Sequence, residues 1–282
     1  MTFAARLRSM TMTYIDVNGL SLYYQEHGAA NGGTPLIMLH GGFGTGDMFG
    51  DSLPVLAEDH WVITADMQGH GRTADVDRPL RFETMADDIA ALIRHLGTDQ
   101  ADVIGVSLGG GVALRLAIQH PDLVRRLVVM SQPCRWDGWF PEVRAGFTGL
   151  TSAIAEPFKQ SPWYAVYEKV APRPEQWPDL IDKIGGLLVL PFDWSAEAAA
   201  LTMPVMLIFG DADSVTPAHI TEFWGLLGGG QRDGNWDGSR RPAARLAIFP
   251  GQVHTTVWTA PEMPALVGAF LDADPLVPPP LA

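Results

Sequence analysis

Six short apolar runs limit what this chain can fold into, because none alternates between apolar and polar residues. The runs cover residues 36–39, 62–63, 103–104, 127–130, 205–209 and 246–249. Strands of this kind are buried on both faces, as in a parallel sheet that helices cover. Helical periodicity lies between most of them, clearest over 83–96 and 108–120. The pattern predicts an α/β fold with a doubly wound, mostly parallel sheet. Such sheets bind ligands beyond the carboxyl ends of their strands.

Two segments depart from this rhythm. Residues 13–17 and 20–26 flank Asn18-Gly19, a pair typical of a tight antiparallel hairpin because both positions favour positive φ. Residues 134–199 contain no convincing strand and are rich in large aromatics and prolines. We therefore expect an inserted helical cap at 134–199, with the core formed by 1–133 and 200–282.

Three further segments carry weaker signals. Residues 228–242 mix glycine with charged residues and are expected to form a long exposed loop. The apolar stretch within the first twelve residues is too short for a signal peptide, so we expect a flexible leader there. The proline-rich stretch 275–280 is expected to be a frayed tail.

Charge and cysteine content exclude several classes of partner. The net charge of −13 argues against nucleic acid and against anionic membrane surfaces, since both are bound through lysine and arginine. The apolar runs are shorter than the ~20 residues of a spanning helix. Cys134 is the single cysteine, so no intramolecular disulfide can form. That is typical of a reducing compartment, and we expect the cytoplasm.

The motif Gly105-Val106-Ser107-Leu108-Gly109 lies between one of the apolar runs and a predicted helix. Gly-x-Ser-x-Gly in this position is the nucleophile-elbow pattern, in which small flanking residues allow a sharp turn that exposes the serine hydroxyl. Such a serine attacks a carbonyl when a neighbouring base removes its proton. The non-catalytic alternative is a glycine-rich turn in which the serine has no chemical role.

Further motifs favour the catalytic interpretation. A His-Gly-Gly-Phe-Gly sequence at 40–44 follows the first buried run, and Asp-Met-Gln-Gly-His-Gly-Arg-Thr occupies 66–73. Gly-Asp-Ala-Asp-Ser-Val-Thr-Pro at 210–217 follows the fifth run, and His254 follows the last. In this order, together with 105–109, the motifs resemble those of the α/β-hydrolase superfamily over nearly the whole chain.

The resemblance implies a role for three side chains. Ser107 would be the nucleophile, and His254 the base that accepts and returns its proton. Asp213 would hold the histidine tautomer and stabilise the imidazolium. It is chosen because the family places its acid three residues after the glycine that opens the 210–217 motif. Asp211 is the alternative acid, although it is better suited to a turn.

The resemblance also implies an oxyanion hole of backbone amides. The amide of Leu108, directly after the nucleophile, would be one donor and that of Gly42 the second, with Phe43 as the alternative. His40 and His70 lie in loop motifs next to this site, and we expect them to brace the loops rather than to react.

These observations predict a serine hydrolase that cleaves a small, partly apolar or aromatic carboxylic ester through an acyl-enzyme. The same triad also serves carbon–carbon bond hydrolases, lactonases and cofactor-free haloperoxidases (perhydrolases), and the motifs do not separate these activities. A non-catalytic small-molecule binding protein of the same fold is the alternative from another class. We expect a small-molecule substrate, no metal and no organic cofactor. The sequence leaves the oligomeric state open.

Overall fold

The computed structural model describes residues 13–273, so the expected leader and the proline-rich tail lie outside it. Eight strands form one sheet: β1 Thr13–Val17, β2 Leu20–His27, β3 Leu36–Leu39, β4 Val62–Asp66, β5 Ala101–Val106, β6 Val124–Met130, β7 Val205–Ala212 and β8 Arg245–Val253. Their order across the sheet is β1-β2-β4-β3-β5-β6-β7-β8. β1 and β2 pair antiparallel with their neighbours, whereas β3 to β8 are all parallel. The predicted fold class is confirmed.

Ten α-helices accompany the strands within the described residues. They are α1 Ser52–Asp59, α2 Phe82–His95, α3 Leu108–Gln119, α4 Pro141–Phe147, α5 Ala155–Phe158, α6 Pro162–Val170, α7 Trp177–Leu188, α8 Ser195–Ala199, α9 Pro217–Leu226 and α10 Met263–Asp272. In the described part of the chain, segment 134–199 adds helices α4 to α8 and no strand of the sheet. None of the helices between residues 13 and 273 combines the length and hydropathy of a membrane-spanning segment.

Helices cover both faces of the sheet because successive strand residues point to opposite sides. Ile37 and Leu39 of β3 are fully buried in one cluster with α2 and α3. Leu36 and Met38 are equally buried in a second cluster with α1 and α10. Each such side chain stabilises the fold by about 1.5–3 kcal/mol, which explains why these runs lack alternation.

The hairpin turns at Asn18 and Gly19, with φ of 50° and 79°, and it aligns Val17 with Leu20. Positive φ at both positions matches the twist of the two strands.

The parallel arrangement brings the functional motifs together. Because β3 to β8 run in one direction, their carboxyl ends meet at one edge of the sheet. The segments 40–44 and 66–73 lie at the ends of β3 and β4, and Ser107 follows β5. Asp213 and His254 come directly after β7 and β8.

Candidate active site

Ser107 occupies a sharp turn between β5 and α3. Its φ of 53° and ψ of −117° are costly for a residue with a side chain, by about 1–3 kcal/mol. The turn requires glycine on both sides: a Cβ on Gly105 would lie 2.0 Å from the carbonyl oxygen of Gly109. A Cβ on Gly109 would lie 2.4 Å from the carbonyl oxygens of Leu39 and His40. The spacing of the motif therefore has a steric cause.

Three side chains from three different strand ends form a continuous hydrogen-bonded chain. The Oγ of Ser107 lies 3.0 Å from Nε2 of His254, and Nδ1 of His254 lies 3.0 Å from Oδ1 of Asp213. The Asp213 side chain is fully buried, and the imidazole is 23% exposed. A histidine bonded in this way can accept the serine proton and pass it to a leaving group.

The Asp213 carboxylate accepts hydrogen bonds from four groups. Besides the His254 ring, these are the Ser131 hydroxyl at 2.5 Å, the Gly210 amide at 3.1 Å and the Ser214 amide at 2.7 Å. Burial by itself would raise the pKa of Asp213, but the donors and the nearby imidazole outweigh burial and hold the pKa below its ordinary value. The carboxylate is thus kept ionised and fixed in orientation.

Sequence reasoning missed Ser131. It follows β6, is fully buried and has a φ of 53°. Its amide donates to the carbonyl of Ile208 at 2.9 Å, which fixes its position beside β7. The available signal was a polar residue at the end of a strand that pairs with both β5 and β7.

Asp211, the alternative acid, has a different partner. It is exposed, and its Oδ1 accepts a hydrogen bond of 2.9 Å from the amide of Gly251. Among the described residues no hydrogen bond joins Asp211 to His254. The geometry therefore brings Asp213, and not Asp211, to the histidine.

The expected oxyanion donors lie beside the serine. Leu108 is the first residue of α3, where backbone N–H groups lack a partner within the helix. In the described residues the amides of Gly42 and Phe43 also have no hydrogen-bond partner. Phe43 has a φ of 62°. All three residues line the cavity that contains Ser107.

Two buried histidines brace the neighbouring loops. The Nδ1–H of His40 donates to the carbonyl of Gly41 at 2.8 Å, and its Nε2 accepts from the amide of Met67 at 2.9 Å. These two bonds define a neutral ring. Nδ1 of His70 lies 2.9 Å from the carbonyl oxygen of Gln68. Burial lowers the pKa of His40 to about 4 and that of His70 to about 3, so neither acts as a base near neutral pH.

A cavity of about 260 Å³ opens above Ser107. Its wall is largely apolar and is built from the loop after β3, the helical segment and the region after β8. The side chains that form most of it are Phe43, Phe147, Phe158, Trp163, Leu188 and Trp258. Within residues 13–273, no group of three or more histidine, cysteine, aspartate or glutamate side chains is arranged to hold a metal ion.

The start of the helical segment is paired with the loop that carries Asp213. The amide of Phe140 donates to the carbonyl of Ser214 at 3.0 Å, and the amide of Thr216 donates to the carbonyl of Gly138 at 2.9 Å. Between them the Trp139 ring lies 5.6 Å from the His254 ring, edge to face. This short antiparallel bridge, formed by 138–140 and 214–216, joins the helical segment to both the acid and the base.

Helix α7 is held to the core by Lys183. Its Nζ lies 2.5 Å from Oδ2 of Asp75 and 2.8 Å from the carbonyl oxygens of Val76 and Arg78. Ile184 and Leu188 of the same helix line the cavity. This ion pair therefore fixes the distance between one cavity wall and the loop after β4.

Comparisons with known proteins agree with this architecture. Residues 34–163 match the sequence profile of the alpha/beta hydrolase fold. The chain is 27% identical over 225 residues to RutD of Azorhizobium caulinodans, an inferred carbamate hydrolase, and this alignment covers 74% of the chain and 84% of the relative. It is 30% identical over 212 residues to the pimeloyl-(acyl-carrier protein) methyl ester esterase of Aeromonas hydrophila, covering 66% of the chain and 79% of the relative.

Solved structures show the same fold. The enol-lactonase of Burkholderia xenovorans superposes with a TM-score of 0.69 at 23% identity, covering 93% of this chain and 100% of that one. The sequence profile, the relatives and the sheet topology lead to one conclusion: the chain belongs to the α/β-hydrolase superfamily and is a hydrolase of that family.

Proposed function

We propose that this chain is a serine hydrolase that cleaves a small, partly apolar or aromatic carboxylic ester through an acyl-enzyme intermediate. The observation that carries the proposal is the unbroken chain of hydrogen bonds from Ser107 through His254 to Asp213. It opens into a largely apolar cavity. Nucleophile, base and acid are thus in contact before any substrate arrives.

The reaction proceeds in two halves. His254 takes the proton of Ser107 as Oγ attacks the ester carbonyl, and it then returns the proton to the departing alcohol. Water, activated by the same imidazole, next attacks the acyl-enzyme and releases the acid. Asp213 stays ionised throughout and stabilises the imidazolium, a role supported by its four donors.

The negative charge of the tetrahedral intermediate needs donors. We assign them to the amide of Leu108 and that of Gly42, with the Phe43 amide as the alternative to Gly42. The free N–H groups of Gly42 and Phe43 support this assignment. Loss of one such donor typically costs about 3–4 kcal/mol of transition-state stabilisation.

We further propose that residues 134–199 act as a cap over the core formed by 1–133 and 200–282. The cavity residues from this segment, among them Phe147 and Phe158, support that role. A cap of this kind limits water access and shapes the substrate pocket. The buried single thiol of Cys134 is consistent with a reducing compartment, and we propose the cytoplasm.

A fluorophosphonate probe tests the proposal, because it bonds only to an activated serine. We expect the wild-type protein to be labelled and to release p-nitrophenol from p-nitrophenyl butyrate, with both signals lost in Ser107→Ala. Ser161→Ala is the matched control, since this hydroxyl caps α6, and it should label normally. A folded wild-type protein that neither labels nor hydrolyses esters would instead be the non-catalytic binding protein.

A further inference from the structure

The chemical character of the cavity wall carries an inference about charge. Three polar side chains line the space above Ser107: the serine itself, His254 and Thr255. The other lining side chains are aliphatic, aromatic or thioether groups, and Gly41 and Gly42 complete the wall. Among the described residues, no lysine, arginine, aspartate or glutamate lines this cavity.

A charged substrate group would therefore have no partner inside the cavity. The Asp213 carboxylate behind His254 already accepts four hydrogen bonds, and it would repel an anion. Lys183 is next to the cavity residue Ile184 in sequence, but its Nζ is bonded to Asp75 and two carbonyl oxygens. An ionised group that loses its water without a counterion is strongly disfavoured.

The charge of the whole chain acts in the same direction. A net charge of −13 lowers the concentration of anions near the surface, and the effect is strongest at low ionic strength. Uncharged molecules are not affected, so both the approach and the bound state discriminate against a carboxylate.

The size of the cavity limits the substrate further. A volume of about 260 Å³ lies just below the range of about 300–1,000 Å³ that is usual for ligand pockets. Such a cavity favours a short acyl chain together with a small alcohol.

We propose that the site accepts esters with a short, uncharged acyl chain and rejects esters whose acyl chain ends in a carboxylate. This inference rests on the proposed ester hydrolysis at Ser107. It adds a restriction that the triad alone does not impose, because the triad reacts with any ester carbonyl that reaches it.

Two methyl esters of equal size test the restriction. Methyl 5-methylhexanoate ends in an isopropyl group, whereas monomethyl glutarate ends in a carboxylate of the same shape. We expect kcat/KM for the neutral ester to be at least about 100-fold higher at pH 7.5. Dimethyl glutarate, which has the same chain with its charge masked, should approach the neutral ester. Methanol release measures all three.

A variant that adds a cation tests whether the lack of charge in the cavity wall causes the preference for neutral esters. Leu188 is half-buried at the end of α7, so an arginine there can reach both cavity and solvent. Leu188→Arg should reduce the preference for the neutral ester at least about tenfold by supplying a counterion. Leu188→Met, which changes shape but not charge, should retain the wild-type ratio.

The outcomes separate this inference from the proposed function. If the wild type labels with fluorophosphonate but hydrolyses monomethyl glutarate as fast as the neutral ester, the charge restriction is wrong and the serine hydrolase stands. Labelling without turnover of either neutral ester also contradicts the restriction. Absence of both labelling and turnover contradicts the proposed function itself.

Discussion

The hydroxyl of Ser131 lies 2.5 Å from Oδ2 of Asp213, while Oδ1 of the same carboxylate faces His254. One oxygen is thus anchored to the core of the sheet and the other is presented to the base. Ser131 does not touch the substrate cavity. It acts as a positioning residue, since it holds the acid and leaves the reaction to other groups.

Removing this hydroxyl should lower activity without unfolding the chain. We expect Ser131→Ala to reduce kcat/KM by about 10- to 100-fold, because a hydrogen bond to a charged group contributes about 1.5–3 kcal/mol. The lost donor also leaves the Asp213 carboxylate more negative toward the His254 ring, which favours the protonated imidazole, so the acid limb of the pH–rate profile should move to higher pH.

Ser131→Gly provides the control for backbone strain at this position. It lacks the hydroxyl but tolerates the positive φ. The two variants should therefore share the shifted pH–rate profile and differ in Tm. A profile that superposes on that of the wild type in both variants would show that the hydroxyl has no influence on the acid.

Asparagine substitutions distinguish the two aspartates of the 210–217 motif. Asp213→Asn should reduce kcat by about 10³–10⁴-fold, because the amide cannot stabilise an imidazolium and favours the wrong tautomer. Asp211→Asn retains an oxygen that can accept from the Gly251 amide, so its kcat should stay within about twofold of the wild type. Steady-state kinetics with p-nitrophenyl butyrate measures both, and similar losses in the two variants would contradict the assignment.

Stability should fall as the pH drops below 6.5, well before most carboxylates are protonated. The pKa of His40 is lowered to about 4 and that of His70 to about 3, whereas both are near 6.5 in the unfolded chain. The unfolded chain therefore binds more protons in this range, and the free energy of unfolding decreases with decreasing pH. Each histidine contributes a slope of about 1.4 kcal/mol per pH unit.

Urea titrations between pH 6 and 4.5 measure this slope. His70→Gln removes one of the imidazoles whose pKa is lowered by burial, so its slope should be smaller by about 1.4 kcal/mol per pH unit. An identical slope in the variant and the wild type would mean that His70 is protonated in the folded chain.

The Lys183 contact should affect both stability and substrate binding. Lys183→Met leaves Asp75 and two carbonyl groups without their shared donor, at a cost of about 1–2 kcal/mol. Since α7 also carries cavity residues, KM for small esters should rise severalfold while fluorophosphonate labelling persists. Lys159→Met is the control. Its ion pair with Glu156 is exposed, so its loss should leave Tm and KM unchanged. Equal effects of the two variants would exclude a specific role for Lys183.

The fold could be predicted because its signals are local. Apolar runs without alternation, an Asn-Gly turn and the close approach of Gly105 to the Gly109 carbonyl each reflect a constraint within a few residues of sequence. The same holds for the order of the site motifs, which places Ser107, Asp213 and His254 at the same edge of the sheet once the strands are parallel. Their meeting follows from topology, although their catalytic roles remain predictions.

Contacts between distant residues could not be predicted in the same way. The hydrogen bond from Ser131 to Asp213 joins residues 82 positions apart. No sequence pattern around a single serine predicts such a partner. The aromatic residues of 134–199 pose a similar problem. Trp163 lines the cavity, whereas Trp177 is fully buried behind it against Phe43, and composition alone does not distinguish the two.

The pairing of 138–140 with 214–216 sets a condition for exchanging the helical segment between homologous hydrolases. A chimera with its junction at residue 134 would take residues 138–140 of this antiparallel bridge from another protein. It would thereby disturb the turn that positions Asp213. A junction at 141 would keep the native half and replace only what lies beyond it. Exchange of substrate specificity between such hydrolases is therefore constrained by residues 138–140. These residues do not line the cavity, but their backbone holds the loop that carries Asp213.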